Sequence, residues 1–461
     1  MLPIDFELRM KELLKEEYDD FIRSYDMPEF KALRLNPLKV DNAMSDYLKE
    51  LISDKDRVEW EELGYYYDAE AEDGFRPGKH PYHVAGVFYI QEPSAMKPVT
   101  KLDPRPGETV LDLCAAPGGK TTQIAGRMKG EGLLICNEIV NSRAKILSEN
   151  IERMGVRNAI VLNETPDKLS ERFVDYFDKI LVDAPCSGEG MFRKNEAAQS
   201  EWSVDNVKMC AERQKDILNC VATMLKPGGT LCYSTCTFSR EEDEECMQWF
   251  VSEHSDYTLI EEERLFPHKV RGEGHYLAVL RRKTLSEAGD YHGNSRVLEA
   301  KGTTLRDALK GNVKSKKRGN DTRLDELRKF FDEYITSSLS ESERVLEFFG
   351  DNLYLLPEGA PMLTGLKVMR PGLALGSYVK DRFEPAHALA LSLRPEEFRN
   401  VAKLSCKDSR EAADYILGMT FPYEGEKGYY LVCVDGYSLG FGKLAGGIMK
   451  NHYPKGLRKQ L

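Results

Sequence analysis

The sequence predicts an α/β protein built on a parallel sheet covered on both faces by helices. Between residues 96 and 283, short apolar runs alternate with helical segments. The runs are nearly continuous in apolar residues, as strands buried on both faces are. The first of them passes directly into a loop of small residues and then a helix, the junction at which such sheets bind ligands.

Each element can be read in order. GETVLDLCAAP (107–117) gives a strand and TTQIAGRMK (121–129) a helix. GLLICNEI (132–139) is the second strand; the helix after it (141–155) has Ala144, Leu147, Ile151 and Met154 in register. AIVLNE (159–164) is a third strand and FDKILVDAP (177–185) a fourth. Residues 205–225 form a helix with a stripe of Val207, Cys210, Ala211, Leu218, Val221 and Leu225, in which Gln214 is the polar member. GTLCYSTCT (229–237) is a fifth strand, and HYLAVLRRK (275–283) a hairpin-like end.

Residues 1–95 combine an amphipathic helix (Phe6, Met10, Leu13 and Leu14 on one side), an acidic stretch at 54–73 and a Gly/Pro/His run, GFRPGKHPYH. Residues 284–320 are polar and rich in Gly and Lys, as a linker is; residues 321–350 are helical. Beyond them, short strands such as NLYLLP, LKVMR and GYYLVCVDGYSLGFGK between Gly and Pro turns predict a small β-rich or α+β module.

A chain of 461 residues suggests two to four domains. Its hydrophobic fraction of 41% and charged fraction of 31% are those of a soluble globular protein. No run approaches the roughly 18 apolar residues of a membrane helix. The acidic amino end lacks the basic stub of a secretion signal, so a cytoplasmic home is expected. Ten cysteines lie scattered without a CxxC pair, and no cluster completes a metal site around Cys232 and Cys236. The net charge of −11 weighs against nucleic acid. Its distribution points the other way: 301–319 carries seven Lys/Arg against one Asp, and 443–461 five Lys/Arg and no acid. Such segments neutralise phosphates whatever the total, or serve as a solvated linker and tail.

Three constellations carry chemistry. In VLDLCAAPGGKTT (110–122) small side chains let backbone approach a ligand, while Asp112 and Lys120 suit an ammonium and a carboxylate. The spacing is not that of a phosphate-binding GxxxxGK[ST] loop. Glu138, ending the second strand, stands where an acid takes two ribose hydroxyls, so an adenosine-containing ligand is expected. In LVDAPCSGEG (181–190) Asp183, Pro185 and Cys186 face the same crevice, with Gly188 and Gly190 allowing close approach of a flat substrate. In YSTCTFSREEDEE (233–245) Cys236 ends the fifth strand as a partly exposed thiol. A thiolate there can add to an electrophilic substrate carbon, and such covalent catalysis divides one hard step into easier ones. A free thiol titrates near ~8.5, so local positive charge or donors must lower it.

QEPSAM (91–96), DLCAAPGGKT (112–121), DAPCSGEGMF (183–192) and YSTCTFSREEDE (233–244), in that order and spacing, resemble the NOL1/NOP2/Sun family of RNA cytosine-5 methyltransferases. The resemblance is strong over 85–283. LRLNPLKV (33–40) resembles the family's amino-terminal RNA-binding element. GMFRK (190–194) and the long tail resemble the bacterial 16S rRNA methyltransferase F branch with its PUA-like end domain.

The resemblance implies a Rossmann-like S-adenosylmethionine-dependent core (96–283) after a small α+β RNA-binding domain (1–95). A basic linker (284–320) and a carboxy-terminal RNA-binding region (321–461) ending in the PUA-like module would follow. It also implies that Cys114, Ala115, Ala116, Pro117, Gly118, Gly119, Lys120, Glu138 and Arg143 hold S-adenosyl-L-methionine. Asp183 would touch cofactor and base, Cys236 would be the nucleophile, and Cys186 would assist elimination. Glu241 and Glu244 would be helix-start acids. Many members have Asn and, two residues on, an Asp that reads adenine; here the run is Asn163–Glu164–Thr165–Pro166, leaving that place to Asn163 or Glu164.

The implied substrate is 16S rRNA or the small ribosomal subunit, acted on by a monomer, with tRNA the alternative. A DNA cytosine-5 methyltransferase would take its nucleophile from the Pro-Cys loop and carry a Glu-Asn-Val segment, which is absent. A non-catalytic ribosome-assembly factor would be expected to lack one or both thiols. The base must be unpaired or flipped for a thiol to reach it. Tyr437 and Phe441 are either base-stacking or core residues of the tail.

Overall fold

The computed structural model describes residues 2–40, 44–53, 55–68, 75–194, 196–288, 297–311, 318–380, 382–407 and 409–460. Residues 54 and 69–73 of the acidic stretch and 312–317 of the basic segment lie outside the described residues.

At the amino end, helices Ile4–Leu14 and Tyr18–Ser24 set Phe6, Met10, Leu14 and Phe21 into a cluster with Phe192, Trp202, Val207, Phe238 and Phe266. These helices therefore back the two cysteine-bearing loops. A three-stranded antiparallel sheet follows, β1 (Lys31–Leu35), β2 (Gly64–Tyr67) and β3 (Phe88–Ile90), with β1 central. The LRLNPLKV run on β1 is turned inward. Leu33, Arg34, Leu35 and Asn36 are buried, Asn36 Nδ2 donates to the carbonyls of Gly86 and Met154 (2.8 Å each), and Lys39 Nζ donates to Ser438 Oγ at 3.1 Å.

The central sheet contains β4 (Thr109–Asp112), β5 (Leu133–Asn137), β6 (Ala159–Leu162), β7 (Phe177–Asp183), β8 (Leu225–Thr235), β9 (Tyr257–Leu265) and β10 (His275–Arg282). β6-β5-β4-β7-β8 run parallel in that order. Their apolar residues are fully buried between helices such as Gly119–Arg127, Asn141–Arg153 and Val204–Met224. The sheet is not purely parallel, since three antiparallel strands complete its edges. β10 and β9 extend β8, and Val368–Arg370, from the carboxy-terminal region, pairs with β6. β9 (YTLIEEERL) escapes the sequence pattern because its glutamates face out from an edge.

Part of the segment read as a linker is ordered. Helix Leu305–Lys310 buries Leu305 and Ala308 against helix Arg318–Tyr334 and a four-stranded antiparallel sheet. Those strands are Leu346–Phe349, Asn352–Leu355, Leu373–Val379 and Arg382–Pro385. The last module is a five-stranded sheet around the hairpin Gly428–Val434/Tyr437–Ala445. Its Asp435–Gly436 turn has φ of 47° and 93°, the left-handed pair that a two-residue hairpin needs. Tyr437 and Phe441 are 4% and 2% exposed and belong to the core, so they offer no stacking surface for a base. Val432, Tyr437 and Leu439 share one apolar cluster with Leu33, Leu35 and Phe88, which joins the two ends of the chain.

Candidate active site

The site lies along the carboxyl ends of β4, β5, β7 and β8. Beyond β4 the chain is pinned on both sides, by Leu113 N to the carbonyl of Leu181 (3.0 Å) and Ala115 N to that of Asn137 (2.9 Å). Arg143 Nη2 donates to Ala116 O and Asn150 Nδ2 to Pro117 O, each at 2.8 Å. Gly118 has φ +113°, and a Cβ there would meet Leu147 Cδ1 at 3.2 Å, so only glycine closes the loop onto the helix of Arg143. Gly119 opens helix Gly119–Arg127. From β1, buried Arg34 clamps that helix through Gly119 O (3.0 Å) and Thr122 Oγ1 (2.9 Å). Cys114 is half-buried, and burial raises its thiol, which makes it a packing residue of the loop.

Asp112 is fully buried at the end of β4. Its Oδ2 accepts from Thr121 Oγ1 at 2.6 Å, while Oδ1 has no partner among the described residues. Burial, opposed by the Thr121 hydrogen bond, pushes its carboxyl up to about 7. An orphaned carboxylate oxygen beside a loop of small residues fits the ammonium of an amino-acid moiety. Buried Glu138 ends the next strand, with Oε1 accepting from Val140 N at 2.9 Å and Oε2 3.4 Å from Arg143. Beside it Ile139 and Val140 are exposed, apolar surface of the kind an adenosine covers.

These residues fit S-adenosylmethionine. Asp112→Asn is expected to weaken its binding about 10- to 100-fold by calorimetry, the worth of a charge-assisted hydrogen bond. Wild-type affinity should fall as pH drops below about 7 and Asp112 takes up a proton, a dependence the variant lacks. An unchanged affinity would remove Asp112 from the site. The stability of the free protein moves oppositely. The raised carboxyl favours folding below its unfolded value, and that contribution is lost as pH rises through about 7.

Asn163 and Glu164 are both engaged within the protein. Asn163 Nδ2 donates to the carbonyls of Glu138 (2.7 Å) and Ile139 (2.9 Å), and its backbone N–H to Lys367 O (2.9 Å). Glu164 Oε1 accepts from Lys367 N (2.6 Å) and Lys168 Nζ (2.9 Å). Both hold the edge strand Val368–Arg370, a long-range contact that local sequence does not announce.

At the ends of β7 and β8 the two cysteines meet. Cys186 Sγ and Cys236 Sγ are 3.2 Å apart, both reduced and partly exposed. Its hydrogen bond with Cys236, and then burial, hold the Cys186 thiol well above its ordinary range. Gly190 N donates to Cys236 O at 2.9 Å, and a Cβ at Gly190 would stand 2.9 Å from Gly274 O and 3.1 Å from Cys236 O. Gly190 thus permits close backbone approach between the two loops.

Asp183, at the end of β7, accepts from Lys120 Nζ (2.8 Å) and Ser234 Oγ (2.8 Å), with His275 Nε2 3.7 Å away and itself 3.2 Å from Lys120 Nζ. Burial would raise the Asp183 carboxyl, but the Lys120 charge and then His275 carry it well below the ordinary carboxylate range. Burial would lower Lys120, but Asp183, and after it Cys236, hold it up as an ammonium. Lys120 therefore pairs with Asp183 and His275, with Cys236 in its field, where the sequence suggested a cofactor carboxylate. Glu241 stands ahead of helix Glu244–Glu253 and pairs with Arg9 at 2.5 Å; Glu244, the first helical residue, binds Arg264.

Sequence reasoning missed Ser187, Gln214, Glu242 and His275. Gln214, the one polar residue in an apolar stripe, was the available signal.

A mixed sheet with an adenosine-type cleft, paired thiols and appended modules defines an S-adenosylmethionine-dependent RNA methyltransferase with a Rossmann-like core. Comparison with known proteins makes this specific. The family described as 16S rRNA methyltransferase RsmB/F matches residues 99–281, and the amino-terminal domain of 16S rRNA methyltransferase RsmF matches 2–93. The first carboxy-terminal domain of RsmF matches 329–393 and its PUA domain 407–459. Ribosomal RNA small subunit methyltransferase F of Vibrio vulnificus is 33% identical over 99% of this chain and 97% of its own length. Its counterpart from Shewanella baltica is 30% identical over 96% and 93%. The chain belongs to the ribosomal RNA small subunit methyltransferase F family. Among solved structures, a methyltransferase homologue from Pyrococcus horikoshii is similar with a TM-score of 0.52 at 30% identity, over 59% of this chain and 93% of that one. NSun6 from the same organism shares the fold, with a TM-score of 0.53 at 22% identity, over 61% and 98%.

Proposed function

We propose that this protein methylates carbon 5 of a cytosine in small-subunit ribosomal RNA, with Cys236 as nucleophile and Cys186 assisting release. The observation that carries the reading is the pair of thiols in contact at the ends of β7 and β8, beside an Asp183–Lys120 ion pair. Asp112, the Cys114–Gly119 loop and Glu138 would hold S-adenosylmethionine, which would supply an electrophilic methyl group, its sulfonium–methyl bond breaking to leave S-adenosylhomocysteine.

The Cys236 sulfur, as thiolate, forms a bond to carbon 6 of an unstacked cytosine. Electron density then reaches carbon 5, which takes the methyl. Asp183, ionised at the cleft edge, accepts from the exocyclic amine of the base, and Lys120 holds that carboxylate in place. The carbon 5 proton passes to water as the Cys236–carbon 6 bond breaks and its electron pair returns to sulfur, and the Cys186 thiol, touching that sulfur, stabilises the departing thiolate by a hydrogen bond and keeps its own proton.

The test incubates Cys186→Ala with S-adenosylmethionine and small-subunit rRNA and resolves the products on denaturing gels. A covalent protein–RNA adduct bearing 5-methylcytosine is expected. If no adduct forms and methylation proceeds normally, the roles assigned to the cysteines are wrong. Methylation of tRNA in preference to rRNA would overturn the substrate.

A further inference from the structure

Around the thiols lies a buried carboxylate that the reaction just described does not use. Glu242 is fully buried in the turn after β8, where Tyr233 Oη donates to its backbone carbonyl at 2.7 Å. Three donors converge on its carboxylate: Ser187 N at 3.0 Å, Gln214 Nε2 at 2.9 Å, and the Ser187 hydroxyl. Gln214 Nε2 also reaches Pro185 O at 3.0 Å. The residues on either side of Cys186 are thus both tied to the Glu242–Gln214 pair. Ser187 Oγ lies 2.7 Å from Thr237 Oγ1, and Thr237 follows Cys236. One network therefore grips the neighbours of both cysteines and sets the contact between their sulfurs.

No Lys or Arg among the described residues is ion-paired with Glu242. Burial, only partly offset by Ser187 and Gln214, pushes its carboxyl up to about 7, and Glu189 nearby adds repulsion. An uncompensated carboxyl costs stability. A residue needed only to fill this space would be apolar.

We infer that Glu242 is a positioning residue for release: it fixes the Cys186 loop so that the Cys186 thiol stays against the Cys236 sulfur while the carbon 6 bond breaks. The inference rests on the cysteine roles proposed above. Adding Cys236 to the base needs only one loop in place, whereas breaking the adduct needs both loops in register. Loosening the network therefore slows the second step more than the first.

The experiment compares wild type, Cys186→Ala, Glu242→Gln and Gln214→Met on small-subunit rRNA with S-adenosylmethionine. A glutamine at 242 keeps the volume but cannot accept from all three donors. A methionine at 214 keeps the apolar stripe and frees Pro185 O. Single-turnover methyl transfer by Glu242→Gln should fall less than about threefold while steady-state turnover falls about thirtyfold, the scale of a small misplacement. The covalent adduct should accumulate on denaturing gels as it does for Cys186→Ala, and Gln214→Met should show a weaker form of the same behaviour. If Cys186→Ala traps the adduct and Glu242→Gln, folded by its melting curve, does not, the inference is wrong and the cysteine reading survives. Should Glu242→Gln fail to fold, the Gln214→Met adduct decides the question in the same way. If Cys186→Ala itself traps nothing, the cysteine roles fall first.

Discussion

Cys236→Ala is expected to lower methyl transfer by about 10^4-fold or more, as loss of a covalent nucleophile does, which is about 5 kcal/mol of barrier. Cofactor affinity should stay within about twofold, because the residues proposed to hold S-adenosylmethionine come from the ends of β4 and β5 and the loop after β4. Cys236 is partly exposed, with its sulfur against that of Cys186 and its carbonyl held by Gly190 N, so the melting temperature should hold. The double variant Cys186→Ala/Cys236→Ala sharpens the result. If Cys236 makes the bond, removing it abolishes the adduct that Cys186→Ala alone traps. An adduct that survives the double change would place the nucleophile elsewhere, and one that needs Cys186 would bring back the Pro-Cys logic of DNA enzymes. Methylation of unpaired RNA by the single variant at more than about a hundredth of the wild-type rate would likewise end the covalent reading.

Which parts of this centre were legible in the sequence follows from the range of the interactions that make them. β4, β5, β6, β7 and β8 announce themselves because strands buried on both faces must be apolar along their length, as LLIC and ILV are. The loop from Cys114 to Gly119, Glu138, Asp183 and the two cysteines could be named because chemistry at strand ends restricts residue type over a few positions. The partners that orient them come from far along the chain. His275 reaches Lys120 from 155 residues away, and Gln214 reaches Glu242 from 28. LKVMR reads as a strand of the carboxy-terminal module, yet Val368–Arg370 closes the edge of the central sheet beyond β6, and Lys367 N–H before it donates to the Glu164 carboxylate. LRLNPLKV was read as an RNA-facing element, whereas Arg34 serves as an internal clamp. A charged residue in an apolar run does not reveal whether its partner is solvent, phosphate or the carbonyl of Gly119. Tyr437 and Phe441 were ambiguous for the same reason, since an aromatic ring suits a core and a base equally.

Lys120→Met separates two roles for the lysine that the sequence left superposed. Were Lys120 a clamp for the cofactor carboxylate, the variant would lose cofactor affinity and keep its turnover at saturation. In the structure its ammonium is engaged by Asp183 and His275 and lies near Cys236. The expected result is therefore the reverse: affinity for S-adenosylmethionine within about threefold and kcat down by about 10^2- to 10^3-fold, the usual cost of removing a preorganised charge. The pH dependence carries the sign. In the wild type Asp183 is held well below the ordinary carboxylate range against its own burial, so it is ionised throughout the neutral region. Because the folded value lies below the unfolded one, the pair stabilises the protein above the unfolded value, and this is lost only as pH falls through the folded one. Without Lys120 burial dominates and the carboxyl rises. The variant should then gain activity with increasing pH where the wild type is flat, and its loss of melting temperature should be larger near pH ~7 than in acid. A variant whose pH profile runs parallel to that of the wild type, with the defect confined to cofactor affinity, would return Lys120 to the cofactor and leave activation of Cys236 to His275 or to the substrate.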